Sequence, residues 1–356
     1  MEIARNRRAV LSFVLGMGVS AIALYFAFKN VPFDTLTDYF RTIRFRWIWP
    51  AAVMVVAGLL LRVLRWRMIV GAVQPLSFPA AYHPFLISFF ANCVLPGRIG
   101  EILRPVVLFQ RSGVPFSTGI ATVATERLFD LIILLAAFPI VLTQVPLGSV
   151  QEFTFHGFHL SRETLDTAVT MLLRMLVVMC VGIFFLMVPA IRARLGRLLM
   201  GLPNLIPFLP ESARAWLKEK VMRPVITIME NVASGFTLLK TPGKLMGCIG
   251  LSAAIWTLQT VSYHTLALDF PGASLPFFQM YVVMILTCFF IVLPSVPGYW
   301  GLWEAGGVFA MSLFGIPAAE ALGFTLFNHA LQLFPVLALG AVSVWVTGIR
   351  WSKLRA

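Results

Sequence analysis

The sequence predicts an all-α polytopic membrane protein, with about six full transmembrane helices and two re-entrant helical hairpins arranged as an inverted-topology repeat. Apolar residues make up 59% of the 356 positions and charged residues only 12%, whereas a soluble domain averages roughly 25% charged residues. Seven apolar runs approach the roughly 20 residues that span a bilayer. Two Pro-Gly breaks, each followed by polar groups, interrupt this pattern. Paired interruptions in two halves of a chain are typical of transporter substrate sites.

The apolar runs cover residues 9–28, 48–64, 119–142, 168–190, 244–268, 276–293 and 318–349. The first run follows three arginines but no small-residue cleavage site follows it, so we expect a retained helix and not a signal peptide. The four cysteines lie in apolar segments without paired spacing, which predicts neither a disulfide framework nor a metal site. No cofactor is expected, because the chain shows no phosphate-binding loop and no known catalytic motif.

Basic residues predict how the chain is oriented in the membrane. The segment 191–243 carries eight Lys and Arg residues, whereas 143–166 carries only Arg162 against three acidic residues. By the positive-inside rule the first segment is cytoplasmic and the second external, and both basic termini are cytoplasmic. We therefore expect a multi-pass protein of the bacterial cytoplasmic (inner) membrane. The net charge of +13 fits anionic headgroups beside the spans rather than nucleic acid.

These charges and motifs predict one integral membrane domain over residues 1–356. It comprises a first repeat at 48–143 with a hairpin at 84–111, a connecting span at 168–190, a cytoplasmic basic segment at 191–243, and a second, inverted repeat at 244–349 with a hairpin at 276–314. The basic segment 29–46 would then lie outside. Its aromatic residues interleave with charges at helical spacing, which favours an interfacial helix.

The first Pro-Gly break places ionisable residues in an apolar setting. A helix that begins after Pro96-Gly97 would bring Arg98, Glu101 and Arg104 near one face. Guanidinium donors at a helix N-terminus fit a phosphate group. The alternative is an Arg98–Glu101 pair that anchors a cytoplasmic hairpin at the lipid headgroups.

Three further charges, Glu126, Arg127 and Asp130, lie inside the third apolar run. At about 1.5 Å per residue they are about 10 to 16 Å deep. Charges at that depth are costly unless they are paired or wetted, and they indicate a functional site. The alternative is an internal salt-bridge cluster that locks the helices together. The arginines at the inner end of the second span are interpreted as snorkelling anchors, namely Arg62, Arg65 and Arg67.

The second half carries Asn328-His329 where the first half carries Glu126-Arg127, at the same spacing from a preceding Gly-x-Pro. The unperturbed pKa of a histidine side chain is about 6.5, so His329 is a candidate proton carrier. A histidine on an apolar helix is more often a packing residue. At the second break, Glu304 is preferred as a site residue over its aromatic neighbours, which are also typical of an interfacial belt.

Several motifs resemble those of the lysylphosphatidylglycerol synthase transmembrane-region family, also called flippase-like proteins. The matching segments are 61–66, Asn92, Leu95-Pro96-Gly97-Arg98-Ile99-Gly100-Glu101, Glu126-Arg127-x-x-Asp130, and Pro294-Ser-Val-Pro-Gly followed by Glu304. The similarity covers nearly the whole chain. Because the chain ends at Ala356, we expect a stand-alone member without the aminoacyl-transferase domain, which does not make lysylphosphatidylglycerol itself.

The resemblance implies lipid translocation. The family includes the membrane half of the multiple peptide resistance factor, which moves aminoacylated phosphatidylglycerol between leaflets, and relatives linked to polyprenyl-phosphate sugars and to hopanoid pathways. On the match, Arg98, Glu101, Glu126, Arg127 and Glu304 inherit a functional expectation. We therefore predict a flippase or transporter, and not an enzyme, that moves a charged-headgroup lipid through a polar cavity between the two hairpins.

Two other functions remain open at this point. One is a membrane-embedded enzyme that modifies a lipid headgroup with Glu126 or Asp130 as base. The other is a non-transporting accessory subunit of a lipid-biosynthesis complex, docked through the segment 191–243. The expected partners are membrane lipids with anionic headgroups, and the sequence also allows lipid-biosynthesis enzymes or a second copy of the chain as partners. Nucleic acid is not expected.

Overall fold

The structure, a computed structural model, describes residues 16–29, 31–95, 98–145, 153–155, 158–160, 162–205, 210–237 and 242–348. Its α-helices are α1 (Gly16–Phe28), α2 (Phe33–Arg41), α3 (Ile48–Val70), α4 (Phe78–Val94), α5 (Gly100–Ser112), α6 (Phe116–Thr143), α7 (Arg162–Met187), α8 (Pro189–Gly201), α9 (Glu211–Leu217), α10 (Arg223–Thr237), α11 (Pro242–Ala267), α12 (Phe277–Ile291), α13 (Leu302–Ser312) and α14 (Ala318–Thr347). Short 3₁₀ turns lie at Leu202–Leu205 and Pro297–Tyr299, and a π-helical turn joins α9 to α10.

The described part of the chain is almost entirely helical, and it confirms an all-α polytopic membrane protein. Among the described residues, four helices are long and apolar enough to cross a bilayer, within α3, α7, α11 and α14. Helix α6 has a comparable length of 28 residues but carries three charged residues, Glu126, Arg127 and Asp130, near its middle. The exception to the helical architecture is a small antiparallel hairpin, Phe153–Phe155 (β1) with Phe158–Leu160 (β2), in the segment predicted to be an external loop.

The helices follow the predicted apolar runs closely. The predicted hairpins at 84–111 and 276–314 are the helix pairs α4–α5 and α12–α13, which pack against each other within each pair. The basic segment 191–243 contains most of α8 and all of α9 and α10. The N-terminal part of the first predicted span, residues 9–15, and the end of the chain, residues 349–356, lie outside the described residues.

The repeated Gly-x-Pro motif forms the same joint in both halves. Gly113 and Gly315 have left-handed backbone angles, φ 68° and φ 74°. A residue with a side chain adopts this conformation only at a cost, so glycine favours these turns. Pro115 and Pro317 then stand directly before α6 and α14, where the fixed φ of proline suits a helix start and its missing N–H costs nothing.

Corresponding helices of the two halves make corresponding contacts. Helix α3 packs on α11, its counterpart; α4 packs on α14, as α12 packs on α6. Helix α5 packs on α6, as α13 packs on α14. Such reciprocal contacts are typical of an internal structural repeat. The opposite membrane orientation of the two repeats stays a prediction.

Close helix approach depends on small residues at the crossings. A Cβ on Gly119 of α6 would lie 2.7 Å from the Pro105 side chain of α5, and one on Gly306 of α13 would lie 2.8 Å from Phe290 of α12. Small residues are the usual means of helix association in membranes, where lipid tails are as apolar as the side chains they replace. These crossings bring the polar residues of α5, α6 and α13 close to their neighbours.

The segment 29–46 contains α2 and packs onto the second half. Leu36 and Ile43 are buried, and the Tyr39 hydroxyl donates to the Pro271 carbonyl at 2.9 Å. The backbone N–H of Trp47 donates to Asp269 at 2.5 Å, which fixes the start of α3. The segment therefore is tied to the loop after α11, and its placement at the external membrane interface stays a prediction.

Candidate functional site

Glu126 of α6 is the centre of a buried ion cluster. Its side chain is fully buried and contacts three arginines: Arg65 of α3 at 3.3 Å, Arg127 at 3.5 Å, and Arg104 of α5 in a short contact. A buried carboxylate is retained in its charged form only when such partners compensate the lost hydration. Helices α3, α5 and α6 are thereby joined through one side chain.

Asp130, one turn after Glu126, extends the cluster toward the second half. Its Oδ1 accepts a hydrogen bond from Arg65 at 2.8 Å, and its Oδ2 lies 3.6 Å from Arg127. The same Arg65 nitrogen donates to Ser252 of α11 at 2.7 Å. Arg65 therefore links α3 and α6 of the first half to α11 of the second.

Arg104 occupies an aromatic pocket. Its guanidinium carbon lies 4.3 Å from the Phe85 ring centroid, 5.2 Å from that of Trp66 and 5.6 Å from that of Phe89. Aromatic faces attract a cation, most strongly where water is excluded. Within the described residues, the ion pair of Arg104 is with Glu126. This part of the cluster is an internal salt bridge of the kind named as the alternative to a substrate site.

Arg127 and Glu101 form the accessible edge of the same cluster. Their side chains are 39% and 30% exposed, and Arg127 Nε lies 3.6 Å from Glu101 Oε1. All three carboxylate contacts of Arg127 are at 3.5–3.6 Å, longer than the 2.8 Å pair between Arg65 and Asp130. Arg127 is thus the arginine of this cluster that a ligand can approach.

Arg98 does not lie on α5, so the prediction that it shares a helix face with Glu101 and Arg104 is wrong. The helix begins at Gly100, whose N–H donates to Asn92 Oδ1 at 2.9 Å, and Arg98 lies before it with φ 54°. A Cβ on Gly100 would meet the Ser88 carbonyl oxygen. This tight packing holds the start of α5 against α4, and Arg98 is left outside the helix.

Arg98 instead bridges the two Pro-Gly regions. We call residues 95–99 the first tip and residues 292–301 the second tip; Pro96 and Gly97 lie outside the described residues. The Arg98 guanidinium donates to the carbonyl of Ile291, the last residue of α12, and lies 5.6 Å from the Tyr299 ring centroid. The predicted alternative, an Arg98–Glu101 pair, is not among the contacts of the described residues. The two tips therefore meet each other at Arg98 and Tyr299.

The second half contains a corresponding pair, Glu304 of α13 with His329 of α14. Nδ1 of His329 lies 2.6 Å from Glu304 Oε1, and its Nε2 lies 2.7 Å from the carbonyl oxygen of Gly298. Glu304 Oε2 accepts from the N–H of Gly301 at 2.6 Å, which caps α13. In both halves, then, a carboxylate early in the second hairpin helix faces a basic residue of the following span.

Asn328 is 1% exposed and lies beside Tyr263 of α11. Three residues of the site are not among the predicted site residues: Arg65, Ser252 and Tyr299. Arg65 was interpreted as a snorkelling anchor, and that interpretation is wrong because its side chain is fully buried. The described residues contain no group of three or more His, Cys, Asp and Glu side chains that could hold a metal ion.

The surrounding arginines give the region a positive balance. Arg62, whose guanidinium lies 4.7 Å from the Trp256 ring centroid, is within electrostatic range of Asp130. Together with Arg98 and the cluster, five arginines lie here with three carboxylates, an excess of two positive charges. The Arg98 guanidinium lies 5.6 Å from the Tyr299 ring centroid, so the excess charge adjoins the tips.

Known proteins similar to this chain are membrane proteins or contain a related region. Glycosyltransferase AglD of Haloferax volcanii is 26% identical over 310 residues, which is 79% of this chain but 46% of AglD. A UPF0104 membrane protein of Methanothermobacter thermautotrophicus is 24% identical over 300 residues, 82% of this chain and 80% of that protein. A second match to a protein of that description and organism is 32% identical over 136 residues, 36% of this chain and 37% of that protein.

The chain thus spans less than half the length of AglD, and no solved structure matches it. The family predicted from the motifs is confirmed: the family described as lysylphosphatidylglycerol synthase TM region matches residues 13–340, and the chain is a multi-pass membrane protein that belongs to this family.

Proposed function

We propose that this chain moves a lipid with a phosphate-bearing headgroup between membrane leaflets, at the place where the two tips meet. The observation that carries the proposal is Arg127, an accessible guanidinium on a buried cluster with excess positive charge. The headgroup would pass between the tips while the acyl or polyprenyl tails stay in lipid. The chain would span the membrane with both termini in the cytoplasm.

The charge balance favours an anion. The excess of positive charge lies inside an apolar helical bundle, where uncompensated charge is expensive. A phosphate brings about one to two negative charges and several acceptor oxygens, which match the planar donor fork of arginine. A neutral headgroup would leave this excess uncompensated.

The geometry separates residues that support the site from residues that would bind. Arg65, Arg104 and Glu126 are fully buried and hold one another in place. Arg127 is accessible and its contacts to Glu101, Glu126 and Asp130 are long, so a phosphate can replace them without dismantling the buried pairs. Arg98 offers a second guanidinium at the tips, where it lies against the Tyr299 ring. Such preorganised surroundings reduce the cost of binding.

The interrupted backbone of the tips supports transport over a structural role. Backbone that is not helical at membrane depth is tolerated only in protein or beside water. Here it occurs in both halves and carries the polar residues Arg98 and Tyr299. This is the pattern by which discontinuous helices form substrate sites in secondary transporters.

The test is leaflet-resolved transfer in proteoliposomes that contain headgroup-labelled lipids. The three substrates are phosphatidylglycerol, a polyprenyl-phosphate sugar and a glycolipid without phosphate. We expect protein-dependent transfer of at least one phosphate lipid and none of the glycolipid, with loss of transfer in Arg127→Gln. Arg223→Gln is the matched control, because Arg223, the first residue of α10, forms an exposed i,i+4 pair with Glu219 of the preceding π-helical turn.

Equal transfer of the glycolipid would contradict the assignment of a phosphate headgroup. No transfer of any lipid, with the protein folded and inserted, would contradict transport itself. Mass spectrometry of the same vesicles separates the enzymatic alternative, since an enzyme would produce a lipid of altered mass while a transporter returns its substrate unchanged.

A further inference from the structure

The contacts of Glu304 and His329 require two protons on these two side chains. His329 is 1% exposed, and both of its ring nitrogens face oxygen atoms: Nδ1 faces Glu304 at 2.6 Å and Nε2 faces the Gly298 carbonyl at 2.7 Å. A carbonyl oxygen can only accept a hydrogen bond, so Nε2 carries a proton. The contact with Glu304 requires a second proton, either on Nδ1 or on the carboxyl group.

The surroundings favour the form with an imidazolium and a carboxylate. The ring lies parallel to Trp303, with centroids 4.6 Å apart and an angle of 1°, and its centroid is 4.4 Å from that of Trp300. Indole faces attract a cation. Glu304 lies in the first turn of α13 and accepts the Gly301 N–H, where a helix N-terminus favours a negative charge.

Of the other ionisable groups near the pair, Arg98 is charged, and its guanidinium lies 5.6 Å from the Tyr299 ring centroid. The rest, including Cys288 of α12 near Tyr263, are neutral in their ordinary forms. Helix α11 brings Tyr263 next to Asn328, the second tip contributes Tyr299, and α4 approaches Gly298 through the backbone oxygen of Cys93. From α2, Tyr39 reaches Gly323, more than one turn away from His329. For α3, the described contacts include no ionisable side chain against the His329 ring. Glu304 is thus the ionisable partner that these contacts give to His329.

Loss of one proton would break one of the two contacts. If Nε2 keeps its proton, the bare Nδ1 faces the Glu304 carboxylate at 2.6 Å; if Nδ1 keeps it, the bare Nε2 faces the Gly298 carbonyl at 2.7 Å. Either arrangement places two acceptors together in a buried site, which is unfavourable. Gly298 has φ 73° and belongs to the second tip. The proton therefore decides whether α13, α14 and this tip remain joined.

We propose that Glu304 and His329 form a proton-binding site that latches the second tip, and that release of this proton to water opens the tip for headgroup passage. The proton is the ligand of this site, and the hydrogen bond from His329 to the Gly298 carbonyl connects the site to the second tip. The site itself is independent of the transport proposal, whereas the coupling of proton release to lipid transfer rests on the proposed function.

The first experiment measures the latch without transport, by the rate of maleimide labelling of Ser295→Cys in the second tip. The background carries Cys93→Ser, Cys180→Ser and Cys288→Ser, because these three cysteines are exposed or partly exposed. Each rate is divided by that of Glu304→Gln at the same pH, which cancels the pH dependence of the thiol. In Glu304→Gln the amide can donate to Nδ1 of His329 and still accept the Gly301 N–H, so this variant stays latched without the extra proton. We expect the ratio to rise about tenfold to hundredfold from acid to alkaline pH, the range for losing one charge-assisted hydrogen bond.

A second readout is the tryptophan fluorescence, because a protonated imidazole in contact with an indole quenches its emission. We expect a pH-dependent quench that disappears in His329→Gln and persists in His264→Gln, a histidine on α11 whose ring contact is Phe277. A labelling ratio that does not change with pH, or a quench that persists in His329→Gln, would overturn the proton site.

The transport assay then separates the coupling from the site. Coupling predicts lipid transfer that depends on pH in the wild type and is lost at every pH in Glu304→Gln. A pH-dependent latch with pH-independent transfer would overturn the coupling alone. A pH-dependent latch in a protein that transfers no lipid would overturn the proposed function and the coupling but uphold the proton site.

Discussion

Replacing Glu126 by glutamine is expected to cost about 3–5 kcal/mol of stability. The substitution keeps the shape of the side chain but removes the negative charge that faces Arg65, Arg104 and Arg127. Breaking one side of a buried ion pair costs roughly this amount, because the partner is left as an uncompensated buried charge. Arg104 makes the largest contribution to this loss, since its side chain is fully buried and its ion pair within the described residues is with Glu126.

Glu101→Gln is the matched control for this loss. The exchange is chemically identical and removes a charge from the same cluster, but Glu101 is 30% exposed and lies 3.6 Å from an Arg127 that is 39% exposed. A solvent-accessible pair contributes only about 0–1 kcal/mol. We expect the two variants to differ by about 3 kcal/mol in unfolding free energy, measured by denaturant titration in mixed micelles.

A second substitution identifies the cause of the loss. If Glu126→Gln is unstable because Arg104 is uncompensated, adding Arg104→Met should recover part of the stability, since methionine fits the pocket of Phe85, Trp66 and Phe89 without a charge. Equal stability of Glu126→Gln and Glu101→Gln would refute the buried cluster. So would a double variant less stable than Glu126→Gln alone.

Two further variants test the packing around the site by the same stability measurement. Gly100→Ala should lose about 1–3 kcal/mol of stability, because its Cβ would overlap the Ser88 carbonyl oxygen. The control Gly58→Ala has no heavy atom within 4 Å of its Cβ and should gain about 0.5–1 kcal/mol. A loss of equal size in both variants would contradict the close α4–α5 contact. Ser252→Ala should lose about 1–3 kcal/mol, because it removes the 2.7 Å partner of Arg65 in a buried site; no change would show that this bond does not join the halves.

The helices were predictable because their signals are local. Apolar runs define the spans, and Gly113-x-Pro115 with Gly315-x-Pro317 marks the joints, since each motif acts through the backbone of a few residues. The start of α5 was not predictable from the Pro-Gly break. It is determined by the contact of Gly100 with Ser88 and Asn92 on another helix.

The site was predictable by residue but not by pairing. Glu126, Arg127, Glu304 and His329 are conspicuous as polar groups in apolar segments, yet Arg65 at a helix end looks like any snorkelling arginine. Its burial follows from the packing of α3 on α6 and α11. This packing joins Arg65 to Glu126, 61 positions later in the chain, and to Ser252, 187 positions later. The repeat carried one unused signal. Arg127 and His329 lie 202 positions apart and their partners Glu101 and Glu304 lie 203 apart, so the two pairs correspond to within one residue.

Passage of lipid headgroups between the two tips can be tested by a reversible cross-link between the second tip and the end of α4, directly before the first tip. A Cβ at Gly298 would lie 3.6 Å from the backbone oxygen of Cys93, so Gly298→Cys places a second thiol beside Cys93, in a Cys180→Ser background. Gly298→Ala controls for strain at this position. We expect oxidation to stop lipid transfer and reduction to restore it, while Gly298→Ala responds to neither. Undiminished transfer through quantitatively cross-linked protein would contradict it.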